Sequence, residues 1–218
     1  MMTPILVAAS SGIVSIPWIL RTLQSSIHAK DVHIRQFGRN TVLNKCLHDL
    51  GYVVESHVGG GETRRYEIRN ALVSASHLLL LWDGRTLSEL LFEARLKSIP
   101  TKVHAIEVTE VVNKDSSNDF DVYVGRGTPW GNPFPVGKQD GQFERSESIA
   151  LFRQHFEKNV LSNPSLHRGL LGLRGLRIAC HCKPLACHGD VIASYLNGID
   201  PDSVQQNALP ATMSQIEE

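Results

Sequence analysis

The sequence carries no surplus charge. Its 22 Lys and Arg residues balance 22 Asp and Glu, so no global field draws the chain to nucleic acid or to an acidic membrane surface. A local basic patch remains open, and GETRRYEIR (61–69) is the stretch that would supply one. Long apolar runs are missing as well. The most apolar early segment, ILVAASSGIVSIPWIL (5–20), is broken by Ser, Gly and Pro, and reads as strand, loop and helix rather than as a signal peptide or membrane span. Cysteine is scarce, four residues in 218. These features predict a cytoplasmic protein with reduced thiols and no membrane partner. In that compartment clustered cysteines point to metal or redox chemistry more than to a disulfide frame. Internal repeats and low-complexity runs are also absent.

What is present is an alternation of strand and helix signals. PILVAA (4–9), DVHIRQF (31–37), YVVES (52–56), HLLLLWD (77–83) and TKVHAIEV (101–108) read as strands. Between them lie helical patterns, among them NTVLNKCLHDLG (40–51), which puts Cys46 on an apolar stripe and Gly51 past the helix end. The pattern predicts an α/β fold, with a parallel sheet covered by helices on both faces over 1–112. NKDSSND (113–119) reads as a linker. A smaller α/β domain follows over 120–198, with a strand in FDVYVGR (120–126), a helix capped by Ser146 over 146–160, a strand within 173–182 and a helix over 187–198. Residues 199–218 read as a tail with little periodicity.

In an open parallel sheet, ligands sit beyond the carboxyl ends of the strands. Three loops fall there. Ser10, Ser11 and Gly12 follow the first strand, Gly59, Gly60, Gly61 and Arg64 follow the third, and Asp83 and Gly84 follow the fourth. Glycines let backbone N–H groups approach an anion, Arg64 adds charge, and Asp83 suits a ribose hydroxyl or base edge. The stretch GGGETRRYEIRNALVSASHLLLLWDGRT (59–86) resembles the SLOG group of Rossmann-like nucleotide-binding proteins. Arg69, Asn70, Trp82, Asp83 and Gly84 fit that group's pattern. Its Gly-Thr phosphate turn does not follow, since RTLSELL (85–91) offers only Thr86 and Ser88. The resemblance implies a nucleotide-like ligand rather than a defined reaction.

The second half holds two motifs. VYVGRGTPWGNPF (122–134) sets Arg126, Trp130 and Asn132 on one Gly/Pro-rich loop. Arg126 suits a carboxylate or phosphate; Trp130 stacks on a base or packs on the domain; Asn132 pairs with a base edge or pins the loop. ACHCKPLACHGD (179–190) gathers three of the four cysteines. Cys180, Cys182, Cys187 and His188 form a possible tetrahedral zinc set, though C-x-C followed by C-H is atypical spacing. Alternatively Cys187, at a helix N-terminus, is a reactive thiolate, with His188 or His181 as base and Asp190 orienting a histidine. Packing alone fits poorly with so polar a setting. Together the two motifs resemble the domain of unknown function 4326 family over 120–197, with His181 where an aromatic is frequent. That resemblance implies a small-molecule or nucleotide-handling module found in phage and bacterial genomes.

The expected function is therefore binding of a nucleotide or modified nucleoside by the first half. Processing by the second half would be cleavage or transfer at a glycosidic or related bond, by a hydrolase or nucleosyl transferase. The competing expectation is a ligand sensor or sequestering protein without turnover, in phage–host conflict. A zinc-stabilised nucleic-acid module is a third, disfavoured by the neutral charge.

Overall fold

The computed structural model describes residues 4–28, 32–57, 64–137, 139 and 142–200. It is a mixed α/β protein with seven α-helices among those residues. Five strands, β1 (Ile5–Ala9), β2 (Ile34–Phe37), β3 (Val54–His57), β4 (His77–Trp82) and β5 (Thr101–Ala105), form one parallel sheet in the order β3-β2-β1-β4-β5. Alternation along the two central strands explains why both faces are covered. Val7, Ala9, Leu79 and Leu81 point to one side, where α1 (Ile16–Ser26) and α2 (Thr41–Asp49) bury Ile19, Leu23, Leu43, Cys46 and Leu47. Leu6, Ala8, Leu78 and Leu80 point to the other, against Ile68, Ala71 and Leu72 of α3 (Arg64–Val73) and Leu90, Leu91 and Ala94 of α4 (Ser88–Leu96). Cys46 is fully buried in this packing, as its place on the stripe predicts.

Glu93 on α4 is buried beside Arg65 and Arg69 of α3, at 3.3 and 3.4 Å. Burial pushes its carboxyl up, but the two guanidiniums outweigh that and hold it below the usual carboxylate range. Arg69, one of the residues carrying the first-half resemblance, thus joins two helices.

A second, smaller parallel sheet has the order β6-β8-β7, built from β6 (Glu110–Asn113), β7 (Val122–Tyr123) and β8 (Arg177–Cys180). Its helices are α5 (Arg145–His155), continued by a π-helical segment (Phe156–Leu161), α6 (Pro164–Leu171) and α7 (His188–Gly198). Phe152, Phe156, Ile178, Ile192 and Leu196 form its buried centre. The boundary between the units differs from the sequence expectation. The strand expected over 101–108 ends at Ala105, and 110–113 pairs with β8, because Val111 packs toward the second core. The 113–119 stretch read as a linker is the turn after β6, with Asn113 Oδ1 accepting from Asp115 N at 2.7 Å. Nor does Ser146 cap α5: Glu144 holds the N-cap position and Arg145 opens the helix. Helix α6, capped by Asn163 through Ser165 N and Leu166 N, carries no separate expectation from the sequence.

The crossing segment 106–109 is pinned at both ends. Ile106 N donates to Trp82 O at 2.9 Å. Asn197 on α7 accepts from Thr109 N and donates to Thr109 O, at 2.8 and 3.0 Å. Val108 then lies against Gly12, where an added Cβ would meet Val108 Cγ1 at 2.5 Å. Gly12→Ala is therefore expected to cost about 1–3 kcal/mol through overpacking, seen as a Tm several degrees lower in thermal denaturation. An unchanged Tm would mean that this contact between the units is loose.

Candidate functional site

The loop carrying Cys182 to Cys187 separates two cavities. The larger, about 670 Å³, is a cleft between the units. It opens where the order of the large sheet reverses, between the ends of β1 and β4, and Ser11, Gly12, Asp83 and Thr86 line that side. Lys183, Asp190 and Asn197 close it from the second unit. The β1 loop is held rigidly. Asn40 caps α2 by accepting from Leu43 N at 2.8 Å, and its amide donates to Ser10 O and Ile13 O at 2.9 and 3.0 Å. Ser10 is buried and accepts from Asp83 N at 3.2 Å, joining the two strand ends. Ser10 is thus a structural clasp, while exposed Ser11 faces the cleft.

Asp83 does not offer a vacant carboxylate. It accepts from Arg85 N, Thr86 N and Thr86 Oγ1 at 2.9, 2.8 and 2.9 Å. Burial pushes its carboxyl up, but these bonds and one from Ser10 hold it below the ordinary range. Gly84, at φ +80°, supplies the left-handed turn those bonds require. The third expected loop, with Gly59, Gly60 and Gly61, lies outside the described residues; Arg64 opens α3.

The second cavity, about 460 Å³, lies on the other side of the loop. It brings the two second-half motifs together: Arg126 and Asn132 from one, Cys180, Cys182 and His188 from the other. Cys180 ends β8, and Cys187 is the N-cap of α7. Their sulfurs are 3.2 Å apart. The Cys187 thiol donates to Cys180 and brings its pKa down to about 5, against burial, which raises it. Cys187 moves the other way, raised by that same bond, by burial and by the charge on Cys180. Of the two sulfurs Cys180 is the one favoured as thiolate, against the helix-terminus argument for Cys187, because the N–H groups of Cys182 and Lys183 also donate to it, whereas the α7 terminus gives Cys187 only the N–H of Asp190.

His188 is buried, and its Nε2 lies 2.9 Å from Val124 O. A carbonyl only accepts, so Nε2 carries the hydrogen and Nδ1 is the free acceptor in the neutral ring. Asp190 orients no histidine. One oxygen accepts from Cys187 N at 2.9 Å, completing a capping box, and the other pairs with Lys183 Nζ. His181 also lines this cavity, pairing with Asp115 at 2.8 Å and standing edge-on to Tyr123. Asn132 pins its loop: Oδ1 accepts from Phe134 N at 3.0 Å and Nδ2 donates to Ser148 Oγ at 2.9 Å. Trp130 packs on the second core and against Gly169, rather than standing free to stack on a base. Arg126 remains exposed on the cavity rim.

The proposed zinc set can be tested against this geometry. Two thiolates on one tetrahedral zinc stand about 3.8 Å apart, from Zn–S bonds of about 2.3 Å. The Cys180–Cys187 contact is shorter, while the Nε2 bond to Val124 O leaves His188 Nδ1 as the nitrogen that would face an ion. Among the described residues, no three His, Cys, Asp or Glu side chains gather as a metal group. As folded, the two sulfurs stand closer together than two thiolates on one zinc would.

Arg145 is a residue the sequence reading passed over. It lines the thiol cavity, with one guanidinium N–H donating to Ala186 O at 3.1 Å. A signal existed: a cation opening a helix opposes the helix dipole, which suggests a duty elsewhere.

The fold and these cavities define a two-unit α/β protein whose second unit carries a paired-thiol pocket. Residues 109–198 match the family described as Domain of unknown function (DUF4326), and the chain belongs to that family through this segment. It is 45% identical over 95 residues to the "Uncharacterized 12.4 kDa protein in nrdA-td intergenic region" of Enterobacteria phage T4, an alignment covering 44% of this chain and 83% of that protein. No solved structure matches the chain. No described helix is long and apolar enough to cross a membrane.

Proposed function

We propose that the protein binds a nucleotide or nucleotide-like small molecule in the cleft between its two units. The observation that carries this reading is the cleft's position at the carboxyl ends of β1 and β4, where the strand order reverses. In doubly wound, Rossmann-like sheets that crevice is where ligands sit. Its chemistry supports a polar ligand of modest charge. Arg85 is paired with Glu110 at 2.6 Å and Lys183 with Asp190, so the cations on the walls are largely balanced. The Ser11 hydroxyl and the exposed Glu107 suit ribose hydroxyls or a base edge.

One observation favours recognition over turnover within the cleft. Asp83 and Asp190 are both engaged in loop and helix-end bonds, and neither is free to move a proton at a reacting atom. Titration calorimetry of the full chain with a panel of nucleosides and mononucleotides tests the proposal, with the recovered ligand weighed after long incubation. Saturable binding of at least one member, with its mass unchanged, is the expected result. Heats no greater than dilution across the panel would overturn it.

A further inference from the structure

We infer that Cys180 and Cys187 form a dithiol–disulfide couple that reduces a small anionic disulfide held in the cavity beneath Arg126 and Arg145. The inference concerns the second cavity and does not depend on ligand binding in the cleft.

Three observations combine. The sulfurs are 3.2 Å apart, so a covalent S–S bond of about 2 Å needs side-chain rotation rather than rebuilding of the loop. Cys180 lines the cavity whereas Cys187 does not, which separates an attacking sulfur from a resolving one. The described cavity wall holds two guanidiniums and no carboxylate, a setting for an anion. Arg145 is tied to Ala186 O, next to Cys187, and keeps further N–H groups for a ligand. Tyr123 and Phe134 supply apolar walls for the disulfide's carbon chain.

The chemistry closes on these two residues and the disulfide. The Cys180 thiolate attacks one sulfur of R–S–S–R; that bond breaks and RS⁻ leaves with the electron pair, giving a mixed disulfide on Cys180. Adduct formation removes the negative charge that faces Cys187. Cys187 then loses its proton to the departed thiolate and attacks the Cys180 sulfur, expelling the second RS⁻. Two electrons pass from the dithiol to the substrate, and the protein is left with one internal disulfide.

Glutathione disulfide, an anionic probe, tests this on the full chain. The wild type is expected to release two glutathione thiols per chain, and the peptide holding both cysteines to lose the mass of two hydrogens. Cys187→Ser preserves a good N-cap residue and should trap a single glutathionyl group on Cys180. Arg126→Ala combined with Arg145→Ala should slow the reaction with glutathione disulfide about tenfold or more relative to any change seen with neutral hydroxyethyl disulfide. The inference is overturned if Cys187→Ser carries its adduct on Cys182 or Cys46, or if the wild type stays glutathionylated with no internal disulfide. Equal slowing with the neutral probe would remove the anionic-substrate assignment.

Discussion

Replacing Ser11 with Trp is expected to weaken nucleotide binding by at least tenfold, about 1.4 kcal/mol or more, with little change in Tm. Ser11 is exposed on its loop and lines the cleft. An indole there fills space the ligand needs but displaces no packed neighbour, so the stability change should stay within about 0.5 kcal/mol. The loop itself is fixed by Asn40 and Ser10 rather than by Ser11, which keeps its backbone in place around the new side chain. Calorimetric titration and thermal denaturation on the same sample separate the two effects. Undiminished affinity in Ser11→Trp would move the ligand out of the cleft.

The largest stability effect is expected at His188. The ring is buried, stands edge-on to Phe152 at 5.2 Å between centroids, and donates to Val124 O. His188→Ala removes a core contact and strands a buried carbonyl. Together these cost about 2–4 kcal/mol, and Tm falls by roughly 6–12 °C for a chain of this size. Cleft binding should persist in the variant below its lowered Tm, because His188 lines only the thiol cavity. His188→Gln keeps an N–H donor within reach of Val124 and should recover part of the loss. A Tm within about 2 °C of wild type in His188→Ala would contradict the structural role given to the ring.

Much of the fold was legible because burial leaves a mark on the sequence. The alternation of Val7 and Ala9 against Leu6 and Ala8 falls to opposite sheet faces, and the helical stripe through Leu43, Cys46 and Leu47 is buried as its spacing predicts. The pairing of the two second-half motifs was legible too, and they line one cavity. What was not legible depends on contacts between distant residues. Asn113 holds the Lys183 carbonyl, and Asp190 pairs with Lys183 while capping Cys187; these bonds turn Lys183 and Asp190 to one cavity and Cys180 to the other. Local spacing contains no trace of that division. For Trp130 the sequence left stacking and packing both open, and the choice is made by Gly169 on α6, which leaves room for the ring to pack. The choice of Cys180 over Cys187 as thiolate turns on which N–H groups reach each sulfur, a property of the folded loop alone.

Nucleotide recognition at the ends of β1 and β4 requires the ligand to occupy the cleft between the units. Photolabelling the full chain with an azido-adenine mononucleotide, followed by peptide mass spectrometry, reads that position directly. Saturable label is expected on peptides carrying Ser11, Asp83–Thr86 and Glu107–Val111, the segments that line the cleft, competed away by unlabelled nucleotide. Label confined to the thiol cavity around Arg126 and Cys182, or spread over the outer helices without saturation, would contradict it.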